Sequence, residues 1–304
     1  MKTKAFTLII LAGLLWGSSC LFVHYLSPYG FTPLQLAGVR ATVSFFVMVL
    51  YILIRDIKLF KIKLTDFFLT LLIGAALFAS AGLYYISMAL TSASTSVVLL
   101  YTAPIYVTLF SALIFKEKLS PIKLIATAIM LIGCIFVAGL IGGARFDLVG
   151  ALMGVAAGVA FAAYNILTKI TLNRGAKPIS VSCYAFLGAT ICSFFFAAPI
   201  STLKIAATAI IPTFPLLIGL AICTFVIPYF MSTLSLNTLD AGTVTSLSIV
   251  EPLSATIFGV VFLNEALTPL AVIGTILILG AVVLLGIIES SETLLLKNAK
   301  ATKK

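Results

Sequence analysis

Charged residues are scarce in this chain of 304 residues, of which only 9% are Asp, Glu, Lys or Arg and 62% are apolar. Soluble domains contain about 25% charged residues, so this composition excludes an ordinary water-facing surface. Helical runs of about 20 apolar residues span the roughly 30 Å apolar core of a bilayer. The runs here are continuous rather than alternating, which favours helices over a β-barrel. The sequence therefore predicts an all-α integral membrane protein whose first partner is the lipid bilayer.

The parts that hydrolytic, metal or nucleotide chemistry needs are also missing. The five cysteines lie inside apolar runs without a CxxC pair, which indicates apolar packing residues rather than metal ligands or disulfides. There is one histidine, no pair of carboxylates in the middle of a run and no Walker-type phosphate loop. We therefore expect neither an enzyme nor a bound metal or cofactor.

Basic residues outnumber acidic ones, 19 to 9, and the net charge of +10 could suggest nucleic acid as a partner. The lysines, however, occupy short gaps between apolar runs, where they orient a membrane protein. With a cytoplasmic N-terminus, about 16 basic residues fall on the inner side and only Arg145 and Lys204 on the outer side. The charge pattern predicts a multi-pass protein of the plasma membrane, or of the inner membrane in a bacterium, with both termini cytoplasmic and no nucleic-acid partner.

Ten apolar runs can be marked along the chain, with short loops between them. They cover residues 5–26, 33–54, 67–89, 92–115, 120–139, 148–170, 179–199, 214–237, 241–263 and 268–288. Lys2 and Lys4 ahead of a run containing Cys20 could also indicate a cleaved or lipidated signal. Because that run continues to about Leu26, retention as the first spanning helix is the better interpretation.

The second half of the chain repeats the first. When residues 92–133 are laid over residues 240–281, about 12 of 42 positions are identical, against roughly a tenth expected by chance. The matches include Pro104 with Pro252 and Glu117 with Glu265. Nearer the start of each half, a shift of 145 aligns four further pairs: Ala12/Ala157, Gly13/Gly158, Gly30/Gly175 and Pro33/Pro178.

Each copy contains five runs, an odd number, so equivalent helices are predicted to cross the membrane in opposite directions. The lysine content of the loops agrees, because Lys116, Lys118 and Lys123 correspond to the uncharged Asn264, Ala266 and Ala271. We predict a first repeat over 1–140, a second repeat over 146–288 and a basic cytoplasmic tail over 289–304.

Ten helices in two inverted repeats, together with several short motifs, resemble the EamA type of the drug/metabolite transporter superfamily. The motifs are Ala12-Gly-Leu-Leu-Trp-Gly17, Leu99-Leu-Tyr-Thr-Ala-Pro104 with Glu117-Lys-Leu119, and Val250-Glu-Pro252 with Asn264-Glu-Ala-Leu267. The resemblance implies a secondary carrier of small metabolites, many of its members being exporters of amino acids or other metabolites. It does not imply a particular substrate.

Glu251 is the sharpest candidate for a functional residue, because a charge in the middle of a membrane costs about 2.5 to 3.5 kcal/mol on insertion scales. Ser248 shares its helix face, and Pro252 leaves a carbonyl of the preceding turn without its helical donor. Glu251 is expected to contact a cationic group of the substrate or to take a proton. Alternatively, a protonated Glu251 ties helices together.

Other polar and aromatic residues inside the runs are candidates for a central binding site. Arg40 suits a carboxylate but could instead reach outward, and Trp16 lies mid-run rather than at an interface. The predicted cavity set is Trp16, Tyr84, Tyr101, Asn165, Tyr229, Ser248 and Glu251, with Arg40, Ser80 and Tyr106 as weaker members. Pro104, Pro228 and Pro252 are predicted bends, and Gly150, Gly154 and Gly158 form a ridge that favours close helix packing.

The sequence thus predicts a secondary transporter, with an exporter of small metabolites such as amino acids as the main hypothesis. A flippase for a lipid-linked substrate is the alternative, and an intramembrane enzyme or a scaffold is a remote one. Proton coupling through Glu251 is a hypothesis, and the sequence leaves the oligomeric state open.

Overall fold

A computed structural model describes residues 2–91, 93–115, 121–137, 147–263 and 268–301. Every regular element in these segments is a helix. The helices are α1 (Lys2–Gly17), α2 (Ser19–Leu26), α3 (Pro33–Arg55), α4 (Leu64–Leu90), α5 (Ala93–Leu100), α6 (Ala103–Phe115), α7 (Pro121–Val137), α8 (Leu148–Asn173), α9 (Pro178–Phe196), α10 (Pro199–Thr208), α11 (Ile210–Ala221), α12 (Ile227–Leu236), α13 (Ala241–Leu247), α14 (Val250–Leu263) and α15 (Pro269–Ala301).

Eight helical segments are long and apolar enough to cross a bilayer, and two shorter apolar helices cover Pro121–Phe136 and Val272–Leu284. Large apolar side chains such as Leu113, Phe195 and Ile211 point away from the protein. Their exposure would be unfavourable in water and suits contact with lipid tails. The predicted all-α, multi-pass membrane protein is confirmed at this level.

Two matching connections begin helices in the same way. Gly30 and Gly175 have φ values of 87° and 90°, and Pro33 and Pro178 then occupy the first turns of α3 and α9. Glycine tolerates this left-handed conformation and proline suits a helix start, where its missing N–H costs nothing. These are the residues that the sequence comparison pairs at a shift of 145.

Four of the predicted runs are interrupted helices. The break between α1 and α2 falls at Ser18, after Gly17, and residues 222–226 between α11 and α12 form a π-helix just before Pro228. The breaks between α5 and α6 and between α13 and α14 precede Pro104 and Pro252 by a few residues. Each proline removes the helical donor for the carbonyl four residues earlier, which explains why both runs break there.

The helices pack closely where glycines face neighbouring helices. α8 runs along α4 and α5, and α1 lies between α12 and α14. A Cβ atom built on Gly150, Gly154 or Gly158 would come within 2.9 Å of a side chain on α4 or α5, or of Thr102. The predicted small-residue ridge on the sixth run is therefore a true packing surface.

Two elements differ from the sequence prediction. α10 is an additional helix in a connection without a predicted run. α15 continues through Ala301 into the predicted tail, because residues 289–301 contain no Pro or Gly and include many good helix formers.

Candidate functional site

The site is built on the break in the ninth predicted run. Pro252 cannot donate to the carbonyl of Ser248, and the Tyr101 hydroxyl lies 3.1 Å from that oxygen instead. The same hydroxyl lies 2.5 Å from Oε2 of Glu251. Tyr101 follows the end of α5, so the break before α6 supplies the group that contacts the break before α14.

Helix α1 presses its glycines against this break. A Cβ on Gly13 would lie 3.7 Å from the Ser248 carbonyl oxygen, and one on Gly17 would lie 2.8 Å from the Glu251 carbonyl oxygen. The Ser254 hydroxyl donates to the carbonyl of Gly13 at 3.2 Å. The backbone of α1 therefore holds the start of α14 in place.

The break between α5 and α6 is contacted by a glycine in an equivalent way. A Cβ on Gly158 of α8 would lie 3.0 Å from the carbonyl oxygen of Leu100. The sequence comparison pairs Gly158 with Gly13, and Leu100 with Ser248. The two halves thus make corresponding glycine contacts at corresponding breaks.

An aromatic wall adjoins Glu251, and we define it as Trp16, Phe161, Tyr164, Phe225 and Tyr229. Tyr229 lies at its centre, with ring centroids 5.0 Å from Trp16, 5.4 Å from Tyr164 and 4.7 Å from Phe225. The Trp16 Nε1 atom is buried and has no hydrogen-bond partner among the described residues. The Tyr164 hydroxyl faces Ser232 and Thr233 outside hydrogen-bond geometry.

Arg40 of α3 lies at the end of this wall. Its guanidinium carbon is 5.1 Å from the Phe225 ring centroid and 5.8 Å from that of Tyr85. The residue is 9% exposed, and its Nε atom is buried without a partner. Within the described segments, no ion pair or hydrogen bond to Arg40 is found. Two aromatic faces therefore border a charged group that lacks an anionic partner.

Tyr229 and Glu251 are only partly enclosed by their neighbours. Tyr229 touches buried rings on three sides and Glu251 lies against α1 and Tyr101, yet both residues stay half-buried. Arg40 and Glu251 interact electrostatically with one another, and both act on the hydroxyls of Tyr84 and Tyr229. The structure therefore brings six predicted site residues into one neighbourhood: Trp16, Arg40, Tyr84, Tyr101, Tyr229 and Glu251.

The remaining candidates form hydrogen bonds to a neighbouring helix or to their own helix, or pack against the core. The Ser80 hydroxyl donates to the Ala157 carbonyl at 3.1 Å, and the Ser248 hydroxyl donates to Val244 at 3.0 Å. Asn165 donates to the carbonyl of Phe161 at 2.9 Å, while its Oδ1 atom is buried without a partner. Tyr106 packs half-buried against the core. Glu117 and Glu265, the repeated acids, lie outside the described residues.

Sequence reasoning missed four aromatic residues of the site, namely Tyr85, Phe161, Tyr164 and Phe225. Two weak signals existed: Phe225 precedes Tyr229 by one helical turn across Pro228, and Tyr85 is adjacent to the candidate Tyr84. Phe161 and Tyr164 give no signal in a chain with 23 phenylalanines and 10 tyrosines.

Charged contacts join the helices at the opposite end from α10. Lys123 pairs with Asp240 at 3.3 Å, linking the starts of α7 and α13. Arg174 pairs with Asp66 through its Nε atom at 2.5 Å, and its terminal nitrogen donates to Thr65 at 2.9 Å. Lys169 donates to the carbonyls of Leu236 and Leu239 at 2.7 and 2.6 Å. Polar contacts thus link neighbouring helices at this end, which the charge pattern assigns to the cytoplasm.

The chain is similar to known transporters over most of its length. It is 26% identical over 288 residues to "Uncharacterized transporter YwfM" of Bacillus subtilis (strain 168), covering 93% of this chain and 95% of the relative. It is 28% identical over 213 residues to "Threonine/homoserine exporter RhtA" of Escherichia coli (strain K12), covering 69% of this chain and 66% of the relative.

A solved crystal structure shares the fold, with a TM-score of 0.77 and 18% identity over 95% of this chain and 99% of the other. The EamA-like transporter family matches residues 3–139 and again residues 148–287. Together these two matches cover nearly all of the described helices that build the site, and the chain belongs to the EamA-like transporter family.

Proposed function

We propose that the protein is a secondary active exporter of small metabolites such as amino acids, working by alternating access to the site around Glu251. The observation that carries this proposal is the contact of Tyr101 with Glu251 and Ser248, which places an acid where two helices break. Broken helices inside a membrane are tolerated where they line a cavity, and transporters use them to bind substrate. The similarity to a threonine/homoserine exporter supports amino acids as the first class to test.

The architecture we propose has ten spanning helices in two inverted repeats, over 1–140 and 146–288. The equivalent contacts of Gly13 and Gly158 support this arrangement, as do the two separate family matches. Repeats related in this way can exchange conformations, which exposes one site to either side of the membrane in turn. Both termini then lie in the cytoplasm, the basic segment 289–304 included, and the protein resides in the plasma membrane.

Proton coupling through Glu251 forms part of the proposal, and the Tyr101 hydroxyl suggests how it works. A hydroxyl carries one hydrogen, but here it faces two acceptors. When Glu251 is protonated, its carboxyl O–H donates a hydrogen bond to the Tyr101 oxygen, and the Tyr101 O–H donates to the Ser248 carbonyl. When Glu251 is ionised, the tyrosine hydrogen turns to the carboxylate and the Ser248 carbonyl loses its donor. The proton on Glu251 thereby alters the bonding of the break before α14.

The test is transport by the full-length protein in proteoliposomes. A panel of labelled threonine, homoserine, other amino acids, purines and organic cations is offered with and without a pH gradient. We expect saturable transport of one class, stimulated by the gradient in wild type and not in Glu251→Gln. Asp56→Asn is the matched control, because Asp56 is an exposed acid outside the spans.

Two results would contradict the proposal in different ways. Full transport by Glu251→Gln with unchanged pH dependence removes proton coupling through this residue. Transport of no panel member, combined with movement of a lipid-linked substrate between leaflets, replaces the exporter with a flippase.

A further inference from the structure

Arg40 is a buried charge that forms no ion pair with an acid of the described segments, although Glu251 acts on it from a greater distance. Stacking on Tyr85 and Phe225 compensates a cation only partly, whereas burial of an unpaired charge is strongly unfavourable. Guanidinium groups in such places bind carboxylates through two parallel hydrogen bonds. The geometry therefore leaves a position for a carboxylate beside Arg40.

A second donor without a partner lies along the same aromatic wall. Trp16 Nε1 is buried and unbonded, and an indole nitrogen can only donate. The Trp16 ring contacts Tyr229, whose ring contacts Phe225, which lies beneath Arg40. Trp16 Nε1 is enclosed by its neighbours and is separated from Arg40 by the rings of Tyr229 and Phe225, so a single carboxylate cannot reach both donors and Arg40 is the group left for it.

Glu251 presents the opposite chemistry. Its Oε2 atom is engaged by Tyr101, whereas its Oε1 atom has no hydrogen-bond partner among the described residues and is not fully buried. Arg40 and Glu251 interact electrostatically but lie too far apart to form an ion pair with each other. A ligand that satisfies both must carry an anionic and a cationic group.

We infer that the site binds an α-amino acid as its zwitterion, with the carboxylate on Arg40 and the ammonium group on Oε1 of Glu251. The inference rests on the proposed function, which it deepens by assigning each end of the substrate to named residues. One positive and one negative group match a zwitterion without leaving a net charge. Removing either charge from the ligand leaves one protein group buried and unpaired, so the site rejects amides and N-acylated amino acids.

The experiment measures equilibrium binding to the purified full-length protein in detergent. The probes are labelled L-serine, L-leucine and L-phenylalanine, each challenged with its own α-amide and its own N-acetyl derivative. We expect wild type to bind at least one of the amino acids at least about tenfold more tightly than either derivative, equivalent to about 1.4 kcal/mol.

The variants separate the two ends of the ligand. In Arg40→Gln, we expect the preference over the amide to be lost while the preference over the N-acetyl derivative remains. In Glu251→Gln, we expect the reverse pattern. Arg40→Lys retains the charge and is expected to preserve part of the preference over the amide, which guards against a folding defect in Arg40→Gln. Size-exclusion profiles and melting temperatures show which variants are folded.

Several results would overturn the inference. Derivatives that bind as well as the parent amino acid exclude recognition of both charges. If Arg40→Gln and Glu251→Gln weaken the binding of an amino acid, its amide and its N-acetyl derivative equally, then Arg40 and Glu251 have a packing role and do not recognise the charges of the ligand. If none of the three amino acids binds, while proteoliposomes of the same preparation transport another solute, the zwitterion site is wrong and the transporter stands. A preparation that neither binds nor transports any solute contradicts the proposed function as well.

Discussion

The hydroxyl of Tyr101 is bound between the carboxyl group of Glu251, at 2.5 Å, and a backbone carbonyl that Pro252 deprives of its helical donor. With 1% of its surface exposed, Tyr101 has no room for a substrate, although the sequence suggested it as a cavity residue. Its hydroxyl instead positions the acid and closes a gap in the helix. A side chain from one half of the chain thus completes the backbone of the other half.

Tyr101→Phe retains the ring and removes only this hydroxyl. We expect a buried carbonyl without a partner to cost about 1 to 3 kcal/mol, seen as a lower melting temperature, together with a weaker pH dependence of transport. Arg40 also interacts electrostatically with Glu251, so the pH dependence should be weakened rather than lost. Tyr106→Phe is the matched control, because it removes a hydroxyl two residues beyond Pro104. Equal effects of the two substitutions would contradict a special role for Tyr101.

Pro252→Ala restores an N–H group that can donate to the Ser248 carbonyl. Pro252 lies in the first turn of α14, where proline is tolerated, and Tyr101 already bonds to the Ser248 carbonyl, so we expect the variant to be about as stable as wild type. The repaired helix no longer needs Tyr101, and transport should fall although stability does not. Hydrogen–deuterium exchange across residues 246–254 should show stronger protection. Pro199→Ala, at the first turn of α10, should change neither property. A variant with normal transport would show that the break is not required.

Gly17→Ala places a methyl group against α14. The added Cβ would overlap the Ser254 hydroxyl and lie 2.6 Å from the nitrogen of Ala255, so the helices must separate. We expect a destabilisation of about 1 to 3 kcal/mol and a marked loss of transport, measured by thermal unfolding and in proteoliposomes. Gly280→Ala is the control, since no atom of the described residues lies within 4 Å of its Cβ position. If both variants behave alike, close contact of α1 with α14 does not matter for function.

The features that could be predicted from the sequence are those that disturb an apolar run. Glu251 and Pro252 interrupt such a run visibly, and Gly30 with Gly175 stands out because the two copies share a rare turn. A hydroxyl is less informative. Ser248 is a predicted site residue because it is polar, yet its hydroxyl donates to the Val244 carbonyl of its own helix, as serines in helices commonly do.

Three members of the aromatic wall, Phe161, Tyr164 and Phe225, could not be predicted from the sequence for a physical reason. In a soluble protein, hydrophobic periodicity separates buried from exposed faces, but lipid-facing and protein-facing sides are both apolar here. Phe225 faces Arg40, and Phe195 faces outward with 76% exposure, yet both are phenylalanines within apolar segments. Only three-dimensional contacts distinguish them. That Arg40 forms no ion pair among the described residues likewise depends on its surroundings and not on the sequence of its own run.

The ion pair between Lys123 and Asp240 leads to a prediction about motion. It links α7 to α13 at the end opposite α10, and both side chains are partly exposed, at 19% and 25%. Exposed pairs contribute about 0 to 1 kcal/mol, so Asp240→Asn should hardly change the melting temperature. Because alternating access requires the two halves to separate at one end at a time, loss of the link should favour opening at this end.

We expect faster hydrogen–deuterium exchange in residues 241–247 and a changed rate of transport, with the exchange of α10 unaffected. Asp56→Asn removes an acid that caps a turn and does not link helices, and it should leave both measurements as in wild type. If residues 241–247 exchange at the same rate in wild type and in Asp240→Asn, the pair is a surface contact without a role in the transport cycle.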